Sequence, residues 1–207
     1  MSLHIVDHPL VQDALVTLRD KRTAPEPFRR AANQISVLLA AEALRNLPTS
    51  HVTVDTPMGQ ADGRRVSTDV VVVPILRAGL GMLDAVLELV PSARVGHIGL
   101  QRNETTAVAS QYYSKVPSGV DKSVVLIVDP MLATGGSAVA ALDVLRLAGA
   151  ARVRIVCIVA APEGVRLVEQ RHPDAAIYTP VVDRFLNDQK YIVPGLGDFG
   201  DRLYGTL

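Results

Sequence analysis

Apolar residues in this chain follow two alternating rhythms. Short, nearly unbroken runs rich in valine and isoleucine occur at residues 70–75, 94–100, 123–128 and 153–160, with a weaker run at 175–182. Runs that do not alternate with polar residues predict strands buried on both faces, the habit of parallel sheets. Between them lie helical patterns. Residues 78–90 put Leu80, Leu83, Leu87 and Val90 on one face. Residues 136–150 carry Val139, Leu142, Leu145 and Arg146 through successive turns, with Gly149 as a stop. Residues 162–172 offer Val165 and Val168 on a shorter helix closed by Pro173. Strands alternating with such helices predict right-handed crossovers and an α/β, doubly wound, mainly parallel sheet flanked by helices.

The first third reads differently. Asp7 is placed to cap a helix bearing Leu10, Ala14, Leu15 and Leu18. A longer helix over 26–45 has Phe28, Ala31, Ile35, Leu38, Leu39 and Ala43 on one face. Residues 51–66 read as a hairpin, with Val52 and Val54 alternating and a turn near Asp62 and Gly63. Two stretches have no regular pattern: 102–119, which is polar and carries Tyr112, Tyr113 and Lys115, and the tail from 183. Irregular segments of that length are often lids or binding loops.

Composition narrows the picture. Of 207 residues 48% are hydrophobic, enough for a sizeable core. Lysine plus arginine and aspartate plus glutamate are both 21, so the formal net charge is zero, and the electrostatic case for a nucleic-acid partner falls away. The one cysteine, Cys157, lies in an apolar run and is expected to pack in the core. The amino terminus has no basic start followed by an apolar stretch. No apolar run approaches the ~18 residues of a membrane helix. The expectation is a soluble, cytoplasmic protein with no membrane partner.

Chemistry concentrates at Asp129 to Ser137, "DPMLATGGS". The strand over 123–128 stops at an acid, crosses Pro130, Met131, Leu132 and Ala133, and enters a helix through Thr134, Gly135, Gly136 and Ser137. In open α/β sheets, ligands bind beyond the carboxyl ends of strands. Glycines let backbone N–H groups turn inward, and the helix start adds further donors and a positive dipole end. Together these predict a phosphate seat. Asp129 repels phosphate and suits ribose hydroxyls or a metal-bound water. No lysine follows the glycines, which excludes a Walker loop, and the G-x-G-x-x-G pattern is absent. A purely structural strand-to-helix turn is the competing reading. A second glycine turn, Arg77-Ala78-Gly79, follows the strand over 70–75 and supplies a cation for another anionic group. Arg102 follows the third strand and opens the polar stretch, where a lid would close over a diphosphate.

These stretches resemble one family. "VDPMLATGGS" is similar to the phosphoribosyl diphosphate loop of type I phosphoribosyltransferases. "VVPILRAGLGMLDAVLELVPSARVGHIGLQRNE", "VAAPEGV" and "YIVPGLGDFGDRLYGT" resemble uracil phosphoribosyltransferases, from "HPLVQ" to the last residues. The resemblance implies a single unit: an arm of helices and a hairpin (about 1–68), a core (about 69–182) and a base-binding hood (about 183–207). It implies formation of UMP and diphosphate from uracil and 5-phospho-α-D-ribose 1-diphosphate (PRPP), with Mg²⁺, in pyrimidine salvage. It implies that residues 129–137 hold PRPP, with the 5′-phosphate on Thr134 to Ser137 and the ribose hydroxyls on Asp129. Arg77 and Arg102 would hold the diphosphate. Ile192, Gly197 and Phe199 would read uracil through backbone groups, and Asp198 would sit near the Mg²⁺–diphosphate end. It also implies a homo-oligomer, dimer or tetramer, with GTP as an effector in some members.

Two departures stand out. Pro130 follows Asp129 where many type I phosphoribosyltransferases have a second acid, which weakens the case for direct metal contact by this loop. Phe199 stands where many bacterial relatives have alanine, and its ring has room to reshape the base pocket. Two rivals remain. One is a phosphoribosyltransferase for orotate or a purine, with Lys190 and Tyr191 as weak purine contacts. The other is a nucleic-acid-binding regulator on the same fold, which would need a basic face.

Overall fold

The computed structural model describes residues 2–102 and 109–206. The chain opens with strand β1 (Ser2–Ile5), then helices α1 (Pro9–Arg19) and α2 (Pro25–Ala43). A long hairpin follows, β2 (Thr49–Thr56) and β3 (Gly59–Val66). The middle of the chain runs β4 (Val70–Leu76), α3 (Leu80–Leu89), β5 (Arg94–Val95), β6 (His97–Arg102) and β7 (Ala109–Lys115). It continues with β8 (Val124–Val128), β9 (Met131–Leu132), α4 (Gly136–Leu147), β10 (Arg152–Val156), β11 (Val159–Ala160), α5 (Pro162–Arg171) and β12 (Ala176–Thr179). The tail adds β13 (Phe185–Leu186), β14 (Ile192–Val193) and α6 (Phe199–Tyr204).

One sheet organises these elements in the order β1-β12-β10-β8-β4-β6-β7, with β5 also beside β4. All pairings in it are parallel except β6 with β7. The unbroken apolar runs lie at its centre: β8 is buried throughout, as is β4 up to Leu76. Alternate residues serve opposite faces. Val70, Val72, Val124 and Leu126 join one core with α1, α2 and α3. Val71, Val73, Val125 and Ile127 join a second core with α4 and α5. A strand covered on both faces has no solvent side to leave polar, and this explains the missing alternation.

Helix α4 ends as its sequence predicts. Gly149 takes a left-handed φ of +91°. Its N–H donates to Arg146 O, and Ala150 N–H donates to Leu145 O, the paired bonds of a glycine-closed helix end. Helices α2 and α5 also bury the expected positions, Phe28, Ala31, Ile35 and Leu39 in one and Val165 and Val168 in the other.

Several expectations are corrected. Residues 2–5 have no strand signal, yet β1 is the sheet's edge and pairs with β12. The cap of α1 is His8, whose Nδ1 accepts from Leu10 N–H at 3.1 Å, not Asp7. Val11 rather than Leu10 completes the buried face of α1. On α3 the buried residues are Met82, Ala85 and Val86; Leu80 is exposed and Leu83, Leu87 and Val90 are only partly covered. The hairpin turns at Pro57 and Met58, while Asp62 and Gly63 lie inside β3, opposite Thr53 and Val52. The run at 94–100 divides at Gly96 into β5 and β6, and the run at 153–160 divides at Cys157 and Ile158 into β10 and β11. The stretch 102–119 is not all loop: β7 pairs antiparallel with β6. The tip of the expected lid, residues 103–108, lies outside the described residues.

Candidate active site

Strand order places the site. The connection from β4 leads through α3 to β5 and β6, on one side, and that from β8 leads through α4 to β10, on the other. Strands β4 and β8 are neighbours, so their carboxyl ends open where the winding reverses. Such a switch point leaves a crevice for a ligand. A cleft of about 670 Å³ opens here, bordered by Arg77, Asp129, Met131, Lys190, Gly197 and Asp198, with Phe199 also on its wall. A second cleft of about 640 Å³ lies between α2, α3 and α6, away from the strand ends.

The loop after β8 is held from behind. Asp129 N–H donates to Val156 O at 3.2 Å, and its Oδ1 accepts a long bond of 3.5 Å from Met131 N–H. Strand β9 pairs with β11. Gly135 is left-handed at φ +84°, and a Cβ there would lie 2.9 Å from Gly164 O. A Cβ on Gly164 would lie 2.5 Å from Ala133 O and 2.8 Å from Leu132 O. Two glycines therefore let the loop rest directly on the first turn of α5. Gly135 is also the residue before α4 and brings no side chain to cap that helix. Thr134 Oγ1 takes a weak bond of 3.4 Å from Gly136 N–H. The start of α4 therefore points its N–H groups and positive end into the loop, the arrangement that suits an anion.

Arg77 enters from β4. Its guanidinium is largely exposed and lies 3.7 Å from the Asp201 carboxylate, a loose surface pair that leaves the side chain able to reach an anion. Its carbonyl accepts from the Tyr204 hydroxyl at 3.5 Å. The Leu76–Arg77 peptide bond is cis, as is Val193–Pro194. Arg102 ends β6, its backbone opposite Ala109. Tyr112 and Tyr113 are exposed on β7.

The tail closes the cleft from above. Strands β13 and β14 form a short hairpin whose turn carries Lys190 at φ +67°. Asn187 builds that turn: its Oδ1 accepts from Tyr191 N–H at 2.9 Å. Ile192 is buried in β14, and Gly197 is left-handed at φ +84°. Asp198 caps α6, its Oδ1 accepting from Asp201 N–H at 2.9 Å. Phe199 is 1% exposed, its ring tilted against Phe28 with centroids 5.2 Å apart. The ring packs in the core against Phe28, and the residue also lines the cleft.

Eight of the residues singled out in the sequence thus converge, while Pro130, Leu132 and the expected phosphate seat Thr134 to Ser137 are not among those lining the cleft. Arg77, Asp129, Met131, Ala133, Ile192, Gly197, Asp198 and Phe199 share one cleft. Leu100, Gln189 and Gly200 line it without having been given a role, and Lys190 and Tyr191, named for the rival purine reading, line it too. Gly164 was missed, although a glycine beside Pro162 at a helix start hints at close approach. Arg19, Asp183 and Arg202, which hold the tail down, carry no local signal at all.

Among the described residues, no cluster of three histidine, cysteine or acidic side chains could cage a metal ion. The cleft instead offers two separate carboxylates, Asp129 and Asp198. That donor set fits a Mg²⁺ ion carried largely by substrate phosphates, since Mg²⁺ commonly takes one or two carboxylates and keeps waters.

Comparison with known proteins agrees. A family model described as uracil phosphoribosyltransferase matches residues 5–206. A protein of Dictyoglomus turgidum named uracil phosphoribosyltransferase is 53% identical over 203 residues, covering 98% of each chain. The solved structure of the AQ2163 protein from Aquifex aeolicus superposes with a TM-score of 0.93 at 38% identity, covering 98% of this chain and 97% of that one. A hypoxanthine-guanine phosphoribosyltransferase from Bacillus anthracis, at 13% identity, shares the fold alone, with a TM-score of 0.51 over 77% of this chain and 79% of that one. With a family match across nearly every residue and half-identical relatives of the same length, this chain belongs to the uracil phosphoribosyltransferase family.

Proposed function

We propose that this protein transfers the 5-phosphoribosyl group from PRPP to N1 of uracil, giving UMP and diphosphate, in pyrimidine salvage. The observation that supports it most is the single cleft in which the start of the loop after β8, Asp129 to Ala133, meets the glycine-rich tail. One half suits phosphates and a ribose, the other a flat polar base. Residues 129–137 bind PRPP, with the 5′-phosphate on the N–H groups and hydroxyls of Thr134 to Ser137. Asp129 accepts from the ribose hydroxyls. Arg77 and Arg102 bind the diphosphate, and Asp198 flanks it.

Uracil offers a donor N3–H between two carbonyl acceptors. Backbone groups at Ile192, Gly197 and Phe199 match that pattern. Cytosine reverses two of those partners, and each buried mismatch costs about 1–3 kcal/mol. Among the described residues, no side chain at the cleft is a strong nucleophile, so the residues act by position and charge. They align N1 with the ribose C1 and hold the departing diphosphate. PRPP would carry the Mg²⁺, with Asp198 beside it, and the chemistry it supplies when bound is neutralisation of charge on the leaving group.

The 207 residues act as one unit. We place the protein in the cytoplasm as a homo-oligomer. Strands β2 and β3 are exposed on nearly every residue, and a two-stranded hairpin alone is marginal in water. A second copy covering it would supply the missing burial. GTP as an effector rests on the family resemblance.

The test incubates the purified protein with PRPP, Mg²⁺ and each base in turn, with and without GTP, and measures nucleotide and diphosphate. Product with uracil alone is expected. Product with orotate or hypoxanthine would overturn the base assignment, and no product with any base would overturn the enzyme reading.

A further inference from the structure

A site that reads its base with backbone groups stores its specificity elsewhere. Any side chain may occupy such positions; what matters is whatever fixes the peptide planes. In this protein those planes belong to residues 192–199, and their fixings are visible.

Gly195 sits at the bend, left-handed at φ +58°, where a Cβ would lie 2.1 Å from Ile192 O. Both of its backbone groups are taken by one ion pair. Its N–H donates to Asp183 Oδ2 at 2.8 Å, and its carbonyl accepts from Arg19 Nη1 at 2.9 Å. Arg19 and Asp183 meet through two further bonds, Nη1 to Oδ2 at 2.9 Å and Nη2 to Oδ1 at 2.8 Å. Asp183 is 7% exposed, and its own N–H donates to Ala160 O at 2.8 Å, which ties its backbone to β11. The next residue is fixed as well. Leu196 O accepts from Arg202 Nη1 at 2.7 Å. Arg202, 8% exposed, also donates to Leu18 O and Asp20 O and lies 4.5 Å over the Phe28 ring. Those two carbonyls end α1, where a cation is favoured.

We infer that Arg19 and Asp183 are positioning residues that set the base specificity of this enzyme, by locking the Gly195 peptide so that its neighbours present the uracil pattern. Arg202 completes the lock at Leu196. The inference rests on the proposed function. Its energetic logic is that of a bidentate pair in which the Asp183 carboxylate is buried and Arg19 is a quarter exposed, so that removing Arg19 leaves a buried charge uncompensated.

The test uses Asp183→Asn, which keeps shape and removes charge, and Arg19→Lys, which keeps charge and loses the fork. In purified full-length protein, Asp183→Asn should raise KM for uracil about tenfold or more, the loss expected from one or two bonds to a charged group. KM for PRPP should stay within about twofold, and the preference for uracil over cytosine should narrow, because the phosphate half is built from β4, β8 and α4. Arg19→Lys should lie between the wild type and Arg19→Ala. Hydrogen exchange in the peptide covering 191–198 should speed up in both Asp183→Asn and Arg19→Ala, whichever base is the substrate. A folded Asp183→Asn with unchanged uracil KM and unchanged exchange would overturn the inference. So would equal losses for both substrates that track the fall in melting temperature. If Asp183→Asn does not fold, Arg19→Lys reads the same quantities. A wild type inactive with uracil would overturn the proposed function, and the exchange measurement would still decide whether the lock exists.

Discussion

At Cys157 the thiol is fully buried at the break between β10 and β11, and burial pushes its pKa from an ordinary 9.0 up to about 12. A hydrogen bond from Thr179 opposes the shift and the charge of Asp129 adds to it. The folded thiol is therefore neutral wherever an unfolded thiol would already ionise. Its contribution to stability is complete below about pH 9 and is lost as pH rises toward 12. Iodoacetamide at pH 8 should leave the native protein unmodified and add one group after denaturation; mass spectrometry reads the difference. Neighbouring residues show why identity alone says little. Phe199 looks in the sequence like a substituent of the base pocket, yet its ring is the inner partner of Phe28. Arg202 looks like one more charge in a polar tail, yet burial depresses its pKa and three backbone carbonyls receive it. Neither fact follows from the residue's neighbours in the chain, because both partners come from the first helices.

Among elements, those with two-sided burial were legible: β4, β8 and α4 follow from apolar runs and a glycine stop. Elements whose environment is one-sided or borrowed were not. Strand β1 is four residues at an edge, with too little pattern to separate it from a loop. Helix α3 is apolar nearly all round, so its sequence cannot say which face is covered; it packs against α2 as well as β4 and β8, and Met82, Ala85 and Val86 are the residues it buries. The hairpin turn was misplaced because Asp-Gly is a strong turn signal, while Pro57 and Met58, followed by Gly59 at φ +146°, make the turn actually used. In the site, the loop from Asp129 to Ser137 was legible from its glycines. Its support was not, since the contact of Gly135 with Gly164 joins α4 to α5 across a crossover. Gly164→Ala tests that contact. A Cβ must push against the Ala133 and Leu132 carbonyls, which are backbone and cannot swing aside. Stability should fall by about 1–3 kcal/mol, and KM for PRPP should rise more than KM for uracil. Thermal melting and steady-state kinetics give the two numbers.

For the whole molecule, the unanswered burial lies outside the site. Met58 at the hairpin tip is 96% exposed, and Val54 and Val66 are exposed along its strands. Sedimentation equilibrium should return a multiple of the 22.1 kDa chain mass; a value equal to it would refute self-association. The locks on the tail have a consequence of a different kind. Arg19 is joined to Asp183 across 164 residues and to Gly195 across 176, and Arg202 to Leu18 across 184. These bonds tie α1 to the tail across nearly the whole intervening chain, so the wall of the cleft built by residues 192–199 takes its shape only when the tail docks on α1. Contacts of such long sequence separation carry a high closure entropy, which makes this docking a late event in folding, after the sheet itself is paired.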